Sequence, residues 1–169
     1  MHQRTTDEWV STGSARTGFE IATAGSAMTP AFHFTFESEW RHAPLAYWVH
    51  VPVVGNDGLF EPPAPPIIPH KGYALLRIPF EKHELQFSAP AQLDHFIDVL
   101  STKPLPTSRQ LSSRRGSDVG PNGHWLSRLP AELKSARKRE KLLQTLRAVR
   151  TQVVGQEADA AFRLTLSGA

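Results

Sequence analysis

The apolar residues of this chain change period near residue 88. Before that point they recur at every second position, and after it at every third or fourth. A period of two puts alternate side chains on opposite faces of a strand, whereas 3.6 places them along one stripe of a helix. The chain is therefore expected to be β-rich in its first half and helical in its second, an α+β arrangement.

In the first half, Ala31–Glu39 sets Phe32, Phe34 and Phe36 on one face against His33, Thr35 and Glu37. Ala46–Val54 alternates too, with Tyr47, Val49, Val51 and Val53 on one side and Trp48 and His50 on the other. Tyr73–Phe80 and His83–Phe87 read as two further strands, joined at Glu81-Lys82. Between them, 55–70 holds Pro62, Pro63, Pro65, Pro66 and Pro69 and an Asn56-Asp57-Gly58 turn signal. Proline cannot donate to a ladder, so this stretch is expected to be a loop with polyproline-II character. It could also be read by an aromatic groove on a partner.

Ser88 is placed as the N-cap of a helix over 90–101, with Pro90 in its first turn. Leu93, Phe96, Ile97 and Leu100 form its stripe, while Gln92, Asp94, His95 and Asp98 are expected to face away. A polar loop covers 103–122. A short helical turn or anchor at 124–129 carries Trp125 and Leu126. A long helix follows over 131–154, with a stripe of Leu133, Leu142, Leu143, Leu146, Val149 and Val153. Phe162, Leu164 and Leu166 suggest a final strand within 160–166. Residues 1–30, rich in Ser, Thr, Gly and Ala, are expected to be a flexible arm with one strand candidate at 19–23. The fold expectation is an antiparallel sheet of four to five strands over 31–87, packed by the short helix and the long basic one. Residues 31–169 then form a single domain.

The chain has 169 residues and a formal charge of only +3, which hides a strong partition. Residues 1–100 carry six Lys/Arg against eleven Asp/Glu, whereas residues 101–150 carry twelve against three. A positive charge concentrated in 103–150 attracts polyanions. Arg109, Arg114 and Arg115 stand in the loop among hydroxyl side chains, a composition suited to phosphate oxygens. Lys134, Arg137, Lys138 and Lys141 share a face if 131–154 is one helix. His124 and Trp125 follow Gly120-Pro121-Asn122-Gly123, where a backbone anion nest with an added donor and stacking ring is one reading. A tight turn that plugs Trp125 into the core is the other.

The expected partner is nucleic acid, DNA or RNA, bound at its backbone without catalysis. The alternative is an adaptor that binds an acidic protein or dimerises through the Leu142–Val153 stripe. A metal-independent nuclease using His124 or His50 is a third reading, and no catalytic residue is nominated for it. The absence of Cys excludes disulfides, thiolate chemistry and Cys-ligated zinc. The eight His show no ligand spacing, His95 with Asp94 and Asp98 on one helix face offers only a weak site, and the carboxylate pair Glu37/Glu39 lacks a third ligand, so no metal site or cofactor is expected. The Phe residues of 32–36, with Tyr47, Trp48 and Tyr73, could serve as a stacking platform or as core. No membrane span is expected. Asp7 and Glu8 follow the basic N-terminus in place of an apolar stretch, so a cytoplasmic location is the default expectation.

Overall fold

The structure, a computed structural model, describes residues 30–115, 120, 122–155 and 160–164. The expected arm and its strand candidate at 19–23 lie outside these residues, except for residue 30. The described chain is α+β, with five strands in two antiparallel sheets and five helices. Strands β1 (His33–Glu37), β4 (Tyr73–Phe80) and β5 (His83–Phe87) form one sheet in the order β1-β4-β5. Strands β2 (Val51–Pro52) and β3 (Phe60–Glu61) pair separately. The helices are α1 (Ala46–Val49), α2 (Pro90–Ser101), α3 (Ser108–Ser113), α4 (Ala131–Lys134) and α5 (Ala136–Val153).

The central strand explains the sheet. In β4, Leu76 and Ile78 point into a core shared with Phe34, Phe87, Phe96 and Leu100, and with Leu142, Leu146, Val149 and Val153 of α5. Leu75 points the other way, onto Trp40, Ala43 and Ala46. Burying each such side chain contributes about 1.5–3 kcal/mol, so alternation covered on both faces fixes the register Phe34↔Leu76 and Ile78↔Leu85. On the second face Arg77 ties the three strands together. Its Nε donates to Thr35 Oγ1 at 2.8 Å, and its other nitrogens reach Glu84 at 2.7 Å and Glu37 at 3.4 Å.

Five expectations are corrected. The segment 46–54 is not one strand. Ala46–Val49 is a helical turn, and only Val51–Pro52 extends. Strand alternation would have grouped Tyr47 with Val51, but both are exposed; the helical turn instead buries Leu45, Ala46 and His50. His50 then donates from Nδ1 to the Pro62 carbonyl at 2.8 Å and accepts from Gln92 Nε2 at 3.1 Å.

Gln92 is thus buried rather than facing away. Its amide also closes a reciprocal pair with Ser88, donating to Oγ at 2.8 Å and accepting from the backbone N at 2.9 Å. Ala89, not Ser88, occupies the cap position.

The long helix breaks at Ser135, which adopts an extended ψ of 141° and donates from Oγ to the Glu132 carbonyl at 2.8 Å. Finally, residues 160–164 form no strand. Arg163 N donates to the Val153 carbonyl at 2.7 Å, which leaves Phe162 packed on Phe34. Residues 165 and 166 lie outside the described region.

The polar stretch 103–122 holds α3, which periodicity did not predict. A capping box starts it: Gln110 N donates to Thr107 Oγ1 while Thr107 N donates to the Gln110 side chain. Among the described residues no helix is long and apolar enough to cross a membrane.

Candidate functional site

A cleft of about 480 Å³ opens where α2, α3 and the segment before α4 meet the α1–β2 turn. Its lining includes Trp48, His95, Asp98, Arg114, Arg115 and His124. Three of these belong to the residues nominated from sequence: Arg114, Arg115 and His124. His95, Trp48 and Asp98 were missed as a group, since 48, 95 and 124 are brought together only by the fold.

His124 is fully buried and caps the 3₁₀ turn Trp125–Ser127, its Nδ1 accepting from Leu126 N at 3.1 Å. A ring that accepts at Nδ1 carries its proton at Nε2 when neutral. Burial, with neighbouring His95 and Arg115, lowers its pKa to about 3, so the ring is neutral at ordinary pH. The Nε2 group is buried and has no hydrogen-bond partner among the described residues. Leaving a buried N–H unpaired costs about 1–3 kcal/mol.

His95 lies beside it, ring centroids 5.9 Å apart. Its Nε2 accepts the Trp125 indole N–H at 2.9 Å, which puts its own proton on Nδ1. Burial lowers the His95 pKa, with Arg115 adding to the effect and Asp98 opposing it.

Arg115 lies over the Trp48 ring at 4.5 Å. One terminal nitrogen donates to the Trp48 carbonyl and the other to the Tyr47 carbonyl at 3.1 Å. Both acceptors are neutral. No carboxylate pairs with Arg115 among the described residues, although burial lowers its pKa.

The remaining nominated residues divide. Trp125 is 1% exposed and stacks on Phe96 at 4.8 Å, so it offers no face to a base. The turn that plugs it into the core is the arrangement found. Arg109 and Arg114 are exposed on and just after α3. The break at Ser135 removes Lys134 from the helical face of Arg137, Lys138 and Lys141. Lys134 is half-buried, and burial lowers its pKa. Lys138 is held by Glu81 at 2.6 Å, which raises its pKa, and lies 4.0 Å from Glu132. Arg137 and Lys141 are exposed, with no carboxylate partner among the described residues.

Other candidates are absorbed by structure. Glu37 and Glu39 pair with Arg77 and Arg41 respectively, and Phe34 is core. The Leu142–Val153 stripe lies inside the chain's own core, so it is not a free dimerisation face. No group of three His, Asp or Glu side chains arranged for a metal ion occurs among the described residues. The chain matches no protein-family model, no curated protein and no solved structure.

Proposed function

We propose that this protein binds nucleic acid through its phosphate backbone, without catalysing a reaction on it. The observation that carries this reading is selective pairing. Lys103, Lys138 and Arg150 each have a carboxylate partner. Arg109, Arg114, Arg137 and Lys141 are exposed and have none among the described residues. Unpaired surface cations on α3 and α5 are available to phosphates, and their release of counterions gives a salt-dependent affinity. Base stacking contributes little, because Trp125 is buried and Trp48 is covered by Arg115.

Anisotropy titrations of labelled single- and double-stranded DNA and RNA at two salt concentrations test the reading. Binding that weakens with salt by a log–log slope of about −0.7 to −0.9 per phosphate engaged is expected. The absence of any binding at low salt would sink it.

A second reading, a protein-interaction module, is favoured by the apolar side chains exposed around the β2–β3 pair. Tyr47 is 73%, Val54 99% and Leu59 56% exposed. Pull-down that survives high salt and is lost on Tyr47→Ser with Leu59→Ser would support this reading over the first.

A further inference from the structure

We propose that the cleft beside Arg115 receives a phosphate monoester, such as the phosphorylated end of a strand or a free nucleoside monophosphate, with His95 and His124 as neutral N–H donors and Arg114 and Arg115 as its cations. The proposal rests on the phosphate-binding reading above and names which phosphate the cleft selects.

Two imidazoles of the cleft lining each have one N–H left to donate. His124 has its Nδ1 occupied by Leu126 N, so its one remaining polar group is the buried, unpartnered Nε2–H. His95 has its Nε2 occupied by the Trp125 indole, so its remaining group is Nδ1–H. Two neutral imidazole donors fixed by their other nitrogens call for an oxyanion acceptor. Neither needs to change protonation when the anion arrives.

Arg115 supplies charge in the same place. Its terminal nitrogens are anchored on the Trp48 and Tyr47 carbonyls, which hold the guanidinium without neutralising it. Arg114 lines the same cleft and is exposed. Two cations and two neutral donors match the dianionic head of a phosphate monoester better than the single charge of a backbone diester.

Size and the rim define the rest of the ligand. A volume of about 480 Å³ lies in the range of organic ligand sites and exceeds what inorganic phosphate fills. Val99, Pro106 and Leu111 add apolar wall for the group that carries the phosphate. Asp98 is the carboxylate among the lining side chains. It can accept an N–H or O–H from that group, and it repels additional phosphates. The monophosphate is therefore favoured over the di- and triphosphate.

The test uses calorimetry at low salt with the full chain. The probes are inorganic phosphate, a nucleoside, its 5′-monophosphate and its 5′-triphosphate. The monophosphate should bind at least tenfold more tightly than inorganic phosphate and more tightly than the triphosphate, and the nucleoside should not bind. His124→Asn keeps an oxygen that can accept from Leu126 N but removes the Nε2–H. In the folded variant, verified by circular dichroism, it should weaken monophosphate binding about tenfold or more. Asp98→Asn should tighten inorganic phosphate binding.

A measurement on the unsubstituted protein covers the event that His124→Asn does not fold. Long-range ¹H–¹⁵N spectra should show His124 Nε2 moving on addition of monophosphate. Monophosphate that leaves that resonance in place, or binds the folded variant equally well, overturns the proposal.

Two oligonucleotides, identical except for a 5′-phosphate or 5′-hydroxyl end, separate this idea from the backbone reading. Equal, salt-sensitive binding of both, with no monophosphate binding, sinks the cleft proposal and leaves the backbone reading. Monophosphate binding with no affinity for the hydroxyl-ended strand sinks the backbone reading and leaves a small-molecule site.

Discussion

Trp125 donates its indole N–H to His95 Nε2 at 2.9 Å, and this one bond sets which nitrogen of His95 carries the proton. Trp125 is itself buried and stacked on Phe96, so the donor cannot wander. Trp125→Phe keeps an aromatic ring there but frees Nε2. The variant should lose about 1–3 kcal/mol, from the hydrogen bond and the smaller ring together, in urea unfolding. Its His95 should also show a mixture of tautomers by ¹⁵N spectroscopy, where the unsubstituted protein shows Nδ1–H alone. A single unchanged tautomer in the variant would show that the indole does not set it.

Acid should destabilise the fold well above the usual carboxylate range. His124 is held neutral down to about pH 3, chiefly by burial, against 6.5 for an ordinary histidine. Burial lowers His50 and His95 in the same direction. Between these pH limits the unfolded chain binds a proton at His124 that the native chain refuses. Stability contributed by the neutral ring is therefore complete above pH 6.5 and is lost as the pH falls toward 3. One such histidine gives a slope of at most about 1.4 kcal/mol per pH unit. Denaturant midpoints measured from about pH 7 to about pH 5 should fall steadily, and His124→Asn should flatten the curve. This window lies above 4.5, the ordinary carboxylate value from which Glu132 is itself lowered by His83 and Lys82.

Gly72 should tolerate no side chain, whereas Gly58 should tolerate one at modest cost. Both adopt positive φ, +93° and +86°. A Cβ on Gly72 would lie 2.3 Å from the Glu37 carbonyl oxygen, where β1 meets β4, but one on Gly58 meets nothing within 4 Å. Gly58→Ala should cost about 1 kcal/mol from backbone strain alone. Gly72→Ala adds a backbone clash that can be relieved only by parting Glu37 from Tyr73. Thermal melts of the two variants should separate by several degrees, with Gly72→Ala the lower.

Much of the fold was legible because alternation or helical spacing coincided with burial. Phe34 is buried on a face its period assigned, Leu76, Ile78 and Leu85 are buried within segments read as strands, and the α5 stripe from Leu142 to Val153 is core. Residues 46–54 misled because the Tyr and Val that alternate there also fit a helical turn over 46–49, and burial of Leu45, Ala46 and His50 decided between them. A signal for α3 was present in the Thr107/Gln110 capping box ahead of Leu111, although hydrophobic period alone does not show it. Ser135 breaks the basic helix without Gly or Pro, and nothing local announces it. The cleft was only half legible. Arg114, Arg115 and His124 stand out by type, but His95 reads as one polar position on an amphipathic helix. Its role depends on an indole thirty residues away.

The break at Ser135 and the ion pairs of α5 divide cations that look alike in sequence, and charge reversal should expose that division. Lys138 lies between Glu81 of the β4–β5 turn and Glu132 of α4, so Lys138→Glu would set three carboxylates against one another. Its thermal midpoint should fall measurably, because the ion pair joins the hairpin to the helix. Arg137 and Lys141 have no carboxylate partner among the described residues. Arg137→Glu with Lys141→Glu should leave the midpoint nearly unchanged. The pair should reduce the salt slope of nucleic-acid binding by about 0.7–0.9 for each phosphate that is no longer neutralised. Arg109→Glu with Arg114→Glu should do the same from α3. If Lys138→Glu instead weakened binding as strongly as the Arg137/Lys141 pair at unchanged stability, the division into paired and available cations would be wrong.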